Sequence, residues 1–259
     1  MLRASFLGFL LGSLALAGCD DATPGTGGSG STSASKASSS ATTTSQSNAS
    51  STSGTSSSGG GMGRSIAIAN HGFEADIVAN GMFNDKITPQ GWTLLDATPP
   101  IIGLDYNSRG VLNPTNTPLY AAGAPEGKNV ALIFLWRAET NDIPVGLSQE
   151  TSEVIAPFTQ YTLRVRVGNI NGEPGFPYEL DGFPGYRVEL RAGGAVIASD
   201  VALSPADGTF EESVIVHSIG ATDPAIGQKL GVAMFNLNKG NSGIEVNFDD
   251  VRVDAVEID

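Results

Sequence analysis

The stretch Ile244-Glu-Val-Asn-Phe-Asp-Asp-Val-Arg-Val253 alternates in residue type, as a β-strand with a buried face does. On this pattern Phe248 enters one face of a sheet and Val251 enters the other. Two carboxylates, Asp249 and Asp250, interrupt the strand. Because neighbouring strand residues point to opposite faces, at least one of the two must face a packed layer or a sheet rim. A buried carboxylate is costly unless a cation neutralises it.

The opening stretch Asn70-His-Gly-Phe-Glu74 offers a partner for these aspartates. If the first and last strands are neighbours, Glu74 and Asp249 or Asp250 can share one hard cation. The turn from Glu126 to Asn129 is a further source of oxygen ligands. Oxygen-only ligands suit calcium, so the sequence predicts a structural calcium held by a subset of these residues. The alternative is that the acids end strands and face water.

Strand-like runs recur along the chain, separated by Gly, Pro, Asn and Asp, and no window shows a sustained helical period. The Gly193-Gly194 pair between two runs is typical of a hairpin. Many strands without intervening helices predict an all-β domain, an antiparallel β-sandwich of the jelly-roll type. The predicted strands are Ser65–Ala69, Trp92–Leu95, Asn129–Arg137, Leu147–Ser152, Tyr161–Asn169, Tyr186–Ala192, Ala195–Ala202, Thr209–Ser218, Lys229–Asn236 and Ile244–Val256.

Two long stretches, Ala97–Gly127 and Ile170–Gly185, are predicted to be irregular, and both are rich in aromatic residues and prolines. Long structured loops on a domain are often functional. Aromatic side chains can stack on a sugar or enclose an aromatic small molecule. The predicted ligand-binding residues are Trp92, Tyr106, Tyr120, Trp136, Phe176 and Tyr178.

The N-terminus reads as a targeting segment followed by a tether. Residues 1–19 join a positive Arg3 to a short apolar run and end in Leu16-Ala17-Gly18-Cys19, which resembles the lipobox of bacterial lipoproteins. The resemblance implies lipidation of Cys19. Residues 20–64 are rich in Ser, Thr and Gly and predict a flexible tether, which leaves residues 65–259 as the folded domain. We expect an exported protein, lipid-anchored to the bacterial cell envelope on its periplasmic or cell-surface side.

Charge and composition exclude several classes. A net charge of −13 disfavours binding to nucleic acid and direct adsorption to anionic lipid, so contact with the membrane is expected through the N-terminal lipid only. Because Cys19 is the only cysteine, a disulfide within the chain and a zinc–thiolate site are excluded. No Gly-x-Ser-x-Gly nucleophile elbow occurs, and the chain has only two histidines.

Several short motifs resemble the galactose-binding-like jelly rolls, which include calcium-containing carbohydrate-binding modules. They are Asn70-His-Gly-Phe-Glu74, Gly91-Trp92, Pro125-Glu-Gly127, Tyr161-Thr-Leu163 and Asn247-Phe-Asp-Asp-Val251. In those modules a structural calcium joins an N-terminal glutamate to an aspartate of the last strand. The resemblance therefore implies that Glu74 binds calcium together with Asp249 or Asp250.

A second set of motifs is similar to the Stig cyclases, calcium-dependent enzymes of indole alkaloid biosynthesis on the same jelly roll. It comprises Ala124-Pro-Glu-Gly-Lys-Asn-Val-Ala131, Gly146-Leu-Ser-Gln149, Gln160-Tyr-Thr-Leu163, Gly182-Phe-Pro-Gly-Tyr-Arg-Val-Glu-Leu190 and Gly227-Gln-Lys-Leu-Gly231. That resemblance implies a sigmatropic rearrangement followed by cyclisation, assisted by an acidic aspartate, here Asp249 or Asp250. It also implies a pocket with aromatic residues near Trp136 and Phe176–Tyr178.

Three functions follow from these observations. The first, which we favour from sequence, is a calcium-stabilised carbohydrate-binding-module-like domain that binds a glycan or small ligand. The second is a Stig-cyclase-like enzyme acting on an apolar indole-type molecule, and the third is a structural or adhesive surface lipoprotein. A closed apolar cavity favours the enzyme, whereas an open aromatic groove favours glycan binding. A homodimer is left open.

Overall fold

The computed structural model of the chain describes residues 63–96, 105–137, 144–172, 180, 182–239 and 243–259, with only the backbone of residues 96, 105–107, 136 and 137. These residues belong to a compact unit that runs from Ser56 to Asp259. The predicted lipidation site, nearly all of the predicted tether, Phe176 and Tyr178 lie outside the described residues. No helix in the described part is long and apolar enough to span a membrane.

The described residues form twelve strands arranged in two antiparallel sheets. The first sheet has the order β10-β7-β12-β5-β4-β2, with β1 paired to β12, and the second has the order β3-β6-β11-β8-β9. The strands are β1 (Arg64–Ile66), β2 (Phe83–Asn84), β3 (Thr93–Asp96), β4 (Asp105–Leu112), β5 (Val130–Arg137), β6 (Val145–Val154), β7 (Thr159–Asn169), β8 (Tyr186–Ala192), β9 (Ala195–Asp200), β10 (Thr209–Ile219), β11 (Lys229–Asn236) and β12 (Ile244–Glu257).

The main hydrophobic core contains side chains from both sheets, among them Ile133 and Val253 from the first and Leu147 and Val188 from the second. The predicted antiparallel β-sandwich is confirmed. The first and last strands are neighbours, the condition on which the shared cation site depended, because β1 pairs with β12 from Arg64 opposite Ala255 onward. Two glycines with positive φ join β8 to β9, as the hairpin signal predicted.

Two strands were not predicted, the two-residue β2 and the longer β4. Asp105–Leu112 lies within the stretch expected to be irregular, yet it forms β4 and pairs with both β5 and β2. The strand carries Tyr, Asn, Ser, Arg and Gly in succession before Val111, so it lacks the apolar alternation on which the prediction rested. The segment forms a strand because its backbone is hydrogen-bonded to strands on both sides, a pairing that its side-chain pattern does not indicate.

The central strand β12 departs from regular alternation at a β-bulge. Its register against β7 shifts between Asp249 and Arg252, and Asp250 has a φ of 51°. The extra residue changes the parity of the strand, so Phe248 and Val251 both enter the main core. The prediction that these two side chains enter opposite faces was therefore wrong. Asp249 is fully buried and Asp250 is nearly so, whereas the sequence predicted burial of at least one of the two.

Candidate active site

A second apolar cluster lies on the outer face of the first sheet, the face turned away from the main core. We call it the outer cluster. Leu132 and Phe134 of β5 alternate with core residues, and Leu119 and Tyr120 come from the segment between β4 and β5. The buried members are Leu112, Leu119, Tyr120, Val130, Leu132, Phe134, Ile170 and Leu180. Loop residues thus cover part of this face. Small apolar clusters of this kind commonly lie under long loops.

A chain of hydrogen bonds between buried polar side chains runs beside the outer cluster. The Tyr120 hydroxyl donates to Asn247 Oδ1 over 2.7 Å, and Asn247 Nδ2 donates to Glu245 Oε1 over 2.7 Å. Asn247 Nδ2 also donates to the Ala131 carbonyl over 3.0 Å, which fixes the orientation of the amide. Glu245 and Asn247 are two residues apart on β12, so both side chains point to the outer face. Glu245 is opposite Phe134 of the outer cluster.

The carboxyl of Glu245 is the titratable group of this site. Burial, and to a smaller extent the negative charge of Asp85, raise its pKa from 4.5 to about 7, against the lowering effect of the hydrogen bond from Asn247. Burial likewise raises the pKa of Tyr120, with a contribution from the charge of Glu245, so its phenol stays a hydrogen-bond donor. A carboxylic acid that titrates near neutrality can give up a proton at physiological pH.

The absence of a side chain at Gly168 lets two aromatic rings pack closely against the first sheet. A β-carbon on Gly168 of β7 would overlap the ring of Phe210 and would lie 2.7 Å from the Tyr120 hydroxyl. The rings of Tyr120 and Phe210 are 4.3 Å apart between centroids. Gly168 is opposite Asn247 in the β7–β12 pairing. The aromatic pair therefore packs onto the sheet directly over Gly168, next to the hydrogen-bonded chain.

A group of oxygen atoms lies at another point of β12, around Asp249. Asp249 Oδ2 accepts from the Glu126 backbone N–H over 2.8 Å, and its Oδ1 accepts from the Asp250 N–H over 2.7 Å. A β-carbon on Gly72 would overlap the Glu126 carboxylate and would lie 3.6 Å from Asp249 Oδ1. The carboxylates of Glu126 and Asp249 are thus close together beside a residue that has no side chain. Burial, and then the charges of Glu126 and Asp250, raise the pKa of Asp249 to about 8.

Glu74 joins the opening stretch to the turn at residues 126–129 by direct hydrogen bonds. Its Oε1 accepts from the backbone N–H groups of Lys128 and Asn129, over 2.7 and 2.6 Å. Asn129 Nδ2 in turn donates to the carbonyls of Phe73 and Asp76, whereas its buried Oδ1 has no hydrogen-bond partner. One carboxylate oxygen of Glu74 is therefore already used by the protein, which the sequence could not show.

The two adjacent aspartates have different surroundings. The carboxylate of Asp249 faces Glu126, whereas Asp250 Oδ1 lies 2.6 Å from Arg252 Nε. Asp250 thus forms an ion pair with a side chain of its own strand. The catalytic role assigned to Asp249 or Asp250 stays a prediction, but neither residue makes a described hydrogen bond to the Tyr120–Asn247–Glu245 chain.

Of the predicted ligand-binding aromatics, the two whose side chains the structure describes, Trp92 and Tyr120, lie in different clusters. Trp92 packs in the main core, with its ring centroid 5.3 Å from that of Phe73, and Tyr120 is buried in the outer cluster. Tyr106 and Trp136 are opposite each other in the β4–β5 pairing, two positions along from Ser108 and Phe134.

Sequence reasoning missed Glu245, Asn247 and Asp85. A signal was available for the first two: Glu245, Asn247 and Asp249 occupy alternate positions of one strand whose intervening residues, Val246 and Phe248, are apolar. A strand with one apolar face and three polar residues on the other presents those polar residues together. All three side chains are buried, and Asn247 accepts a hydrogen bond from Tyr120, which lies in a segment distant in sequence.

Comparison with known proteins identifies the family. The family model described as HpiC1 cyclase matches residues 64–254, almost the whole described domain. No match was found among the curated proteins.

Solved structures agree with the family match. A Stig cyclase from Fischerella sp. TAU, in complex with (3Z)-3-(1-methyl-2-pyrrolidinylidene)-3H-indole, is 36% identical, with a TM-score of 0.65, over 76% of this chain and 100% of that chain. A cyclase from the same organism with 4-(1H-indol-3-yl)butan-2-one is 36% identical, with a TM-score of 0.65, over 76% and 99% of the two chains. The xylan-binding domain of Paenibacillus barcinonensis is distant, at 15% identity and a TM-score of 0.39 over 71% and 100%. The chain belongs to the HpiC1-like cyclase family.

Proposed function

We propose that the domain is a cyclase-type enzyme that rearranges or cyclises an apolar, indole-type small molecule, with Glu245 as the proton donor. The observation that carries the proposal is the buried carboxyl of Glu245, whose pKa is raised to about 7 beside an apolar cluster. The family membership supports the same reaction class. This reverses the preference for glycan binding that the sequence suggested.

The site residues divide the work. Glu245 in its neutral form gives its proton to the substrate, which develops positive charge as a ring or a new carbon–carbon bond forms. The carboxylate left behind lies close to that charge and stabilises it in a site from which water is largely excluded. Asn247 holds Glu245 in place, because its amide is fixed by bonds to Tyr120 and Ala131. The outer cluster provides the apolar wall for the substrate.

Glycan binding is less well supported by these residues. A sugar needs hydrogen-bond partners for several hydroxyl groups as well as an aromatic platform. In the described part of the outer face, the polar groups beside Tyr120 bond to one another and the remaining cluster members are apolar.

The residues around Asp249 fit a calcium ion. The donor set is made of hard oxygen atoms, Asp249 is a buried carboxylate next to Glu126, and Asn129 Oδ1 is a buried acceptor without a hydrogen-bond partner. We propose Asp249, Glu126 and Asn129 as ligands. Because no three His, Cys, Asp or Glu side chains in the described residues converge on one point, backbone or water oxygens would complete the set. When bound, calcium would neutralise these acids and tie β12 to the turn at residues 126–129.

A binding experiment separates the two small-ligand functions. The full chain is titrated calorimetrically with 4-(1H-indol-3-yl)butan-2-one and, separately, with β-1,4-galactotriose, in calcium-containing buffer. We expect heat of binding from the indole ketone and none from the trisaccharide. The reverse result would restore the glycan-binding interpretation.

A turnover experiment tests the proton donor. A panel of alkenyl-substituted indoles is incubated with wild type, Glu245→Gln and Glu211→Gln, and products are separated by chromatography with mass detection. Rearrangement and cyclisation conserve mass, so we expect isomers of the starting compounds. Loss of general acid catalysis should lower the rate by about a hundredfold or more in Glu245→Gln. Glu211, exposed on β10, is the matched control, and equal rates in all three proteins would contradict the assignment.

We also propose that the enzyme is exported and anchored through a lipid on Cys19, as the lipobox-like sequence indicates. Mass spectrometry of the protein isolated from membranes of a bacterial host tests this. An N-terminal peptide that begins at Cys19 and carries diacylglycerol is expected. A peptide that starts elsewhere, without lipid, would refute the anchor.

A further inference from the structure

If Glu245 donates a proton in each turnover, as the proposed function requires, it must be protonated again, and the described residues show no hydrogen-bonded route from Glu245 to solvent. Glu245 is 5% exposed, and its described hydrogen-bond partner is an amide that donates to it. Once it has given its proton away, the residue is a buried anion. A rearrangement or cyclisation is an isomerisation, so the proton given to the substrate must be matched by a proton lost from the cyclised cation. A second group has to take up that proton and restore the acid.

The chain segment at β2 brings one such group to the outer face. A β-carbon on Gly110 of β4 would overlap the carbonyl oxygen of Asn84 and would lie 3.1 Å from the Cα of Asp85. The segment therefore crosses directly over Gly110, on the side to which its β-carbon would point. Gly110 is opposite Leu132, a member of the outer cluster, and Leu132 is opposite Asn247. Asp85 thus lies on the same side of the sheet as Glu245.

Asp85 differs from Glu245 in exposure. It is half-buried, whereas Glu245 is buried. A bridge between Lys86 and Arg109 holds the segment next to β4. The negative charge of Asp85 contributes to the raised pKa of Glu245, so the two carboxyls are close enough to interact. Two carboxyls in environments of different burial are the usual basis for separate acid and base roles.

We propose that Asp85 is the second carboxylate of the site, a proton-relay residue that takes up the proton released by the cyclised product and returns it to Glu245. This inference rests on the proposed function. In one cycle the O–H bond of Glu245 breaks and a C–H bond forms on the substrate. A C–H bond of the cyclised cation then breaks, the proton moves to the Asp85 carboxylate, and its transfer to Glu245 restores both groups. No oxidant or reductant is needed.

The first test follows the titration of Glu245 and needs no substrate. The full chain is labelled with ¹³C at the glutamate carboxyls, the Glu245 resonance is identified by its loss in Glu245→Gln, and its chemical shift is followed from pH 4 to 9. In Asp85→Asn, removal of the neighbouring charge should lower the apparent pKa of Glu245 by about half a unit or more. Glu211→Gln changes the net charge equally and should leave it in place. An unchanged titration in Asp85→Asn would overturn the proposal.

The second test measures turnover of an alkenyl-substituted indole that the wild type converts. Asp85→Asn should lower kcat by about tenfold to a hundredfold with little change in KM, and should move the pH profile to lower pH. Asp85→Glu should recover part of kcat. A residue that only supports the fold would lower the melting temperature of both variants without moving the pH profile, which would refute the relay. If no indole is converted, the proposed function fails, whereas the titration still decides whether the two carboxyls are coupled.

Discussion

The buried carboxyl of Glu245 couples the candidate site to stability. Its pKa is about 7 in the folded protein and 4.5 in its ordinary state, so the folded protein binds more protons between these values. The contribution of the neutral carboxyl is therefore complete below pH 4.5 and is lost as pH rises through 7. Above neutral pH the buried, ionised carboxyl of Glu245 therefore lowers the free energy of unfolding.

Replacing Glu245 by Gln should remove this pH dependence. The amide has similar shape and no charge, so we expect the variant to gain up to about 3 kcal/mol over wild type at pH 8 and nothing at pH 4. Urea unfolding at the two pH values measures the difference. Glu211→Gln, on an exposed position of β10, should show no such gain. A Glu245→Gln variant no more stable than wild type at pH 8 would contradict the burial of a titrating carboxyl.

Glu126 offers a sharper test of the calcium site than Glu74. The residue named first by the sequence, Glu74, accepts two backbone hydrogen bonds, so its removal should destabilise the protein with or without metal. Glu126 instead brings its carboxylate near Asp249 and raises the pKa of that residue. In the absence of a cation the two charges repel each other.

We therefore expect Glu126→Gln to reduce the calcium-induced rise in melting temperature by roughly half or more, because calcium affinity follows the number of charged ligands. In chelator the same variant should be at least as stable as wild type. Differential scanning calorimetry in calcium and in chelator provides both numbers. Equal destabilisation in the two conditions would exclude Glu126 as a ligand.

At the scale of single elements, the bulge in β12 organises both sites. It turns the strand so that Phe248 and Val251 share one core, while Glu245 and Asn247 on one side of it reach the outer cluster. Asp250 takes a left-handed backbone conformation there, with a φ of 51°. This conformation is tolerated by Asp and strongly disfavoured for β-branched residues.

Asp250→Val should accordingly lower stability by about 2 kcal/mol, measured by urea unfolding in chelator so that metal binding plays no part. Asp254→Val is the matched control on the same strand, at a position with regular pairing to Thr162 and Ser65. Because valine favours strands, this second change should be neutral or slightly stabilising. Similar losses in both variants would mean that the bulge is not under conformational constraint.

For the whole molecule, the folded unit should not need the N-terminal segment. Residues 20–62 are mainly Ser, Thr, Gly and Ala, with little apolar surface to bury. A protein comprising residues 63–259 should melt at the same temperature as one that begins at Asp20. A clear drop on truncation would show that the segment contributes to the fold.

Calcium should stabilise either form. At a concentration a hundred times the dissociation constant, binding to the folded state alone adds about 2.7 kcal/mol, which corresponds to a rise in melting temperature of about 5 to 10 °C. Scanning calorimetry with and without chelator measures the shift. No shift would mean that the acids around Asp249 are satisfied by the protein alone.

Residue type and alternation by themselves determined the architecture of this protein. Runs such as Tyr161–Asn169 predict strands because one buried face imposes a period of two, and the absence of a helical period predicts a sandwich. The same reasoning marked at least one of Asp249 and Asp250 as buried. These properties are local, so each can be read from a few neighbouring residues.

The tertiary structure alone decided what the site is. The bulge at Asp250 reversed the parity of β12, because a single extra residue flips every later side chain and leaves no mark in composition. Burial raises the pKa of Glu245 to about 7, and Tyr120, a loop residue far away in sequence, is connected to it through Asn247. Burial and charge coupling depend on which distant segments pack together, and a one-dimensional pattern does not contain that information.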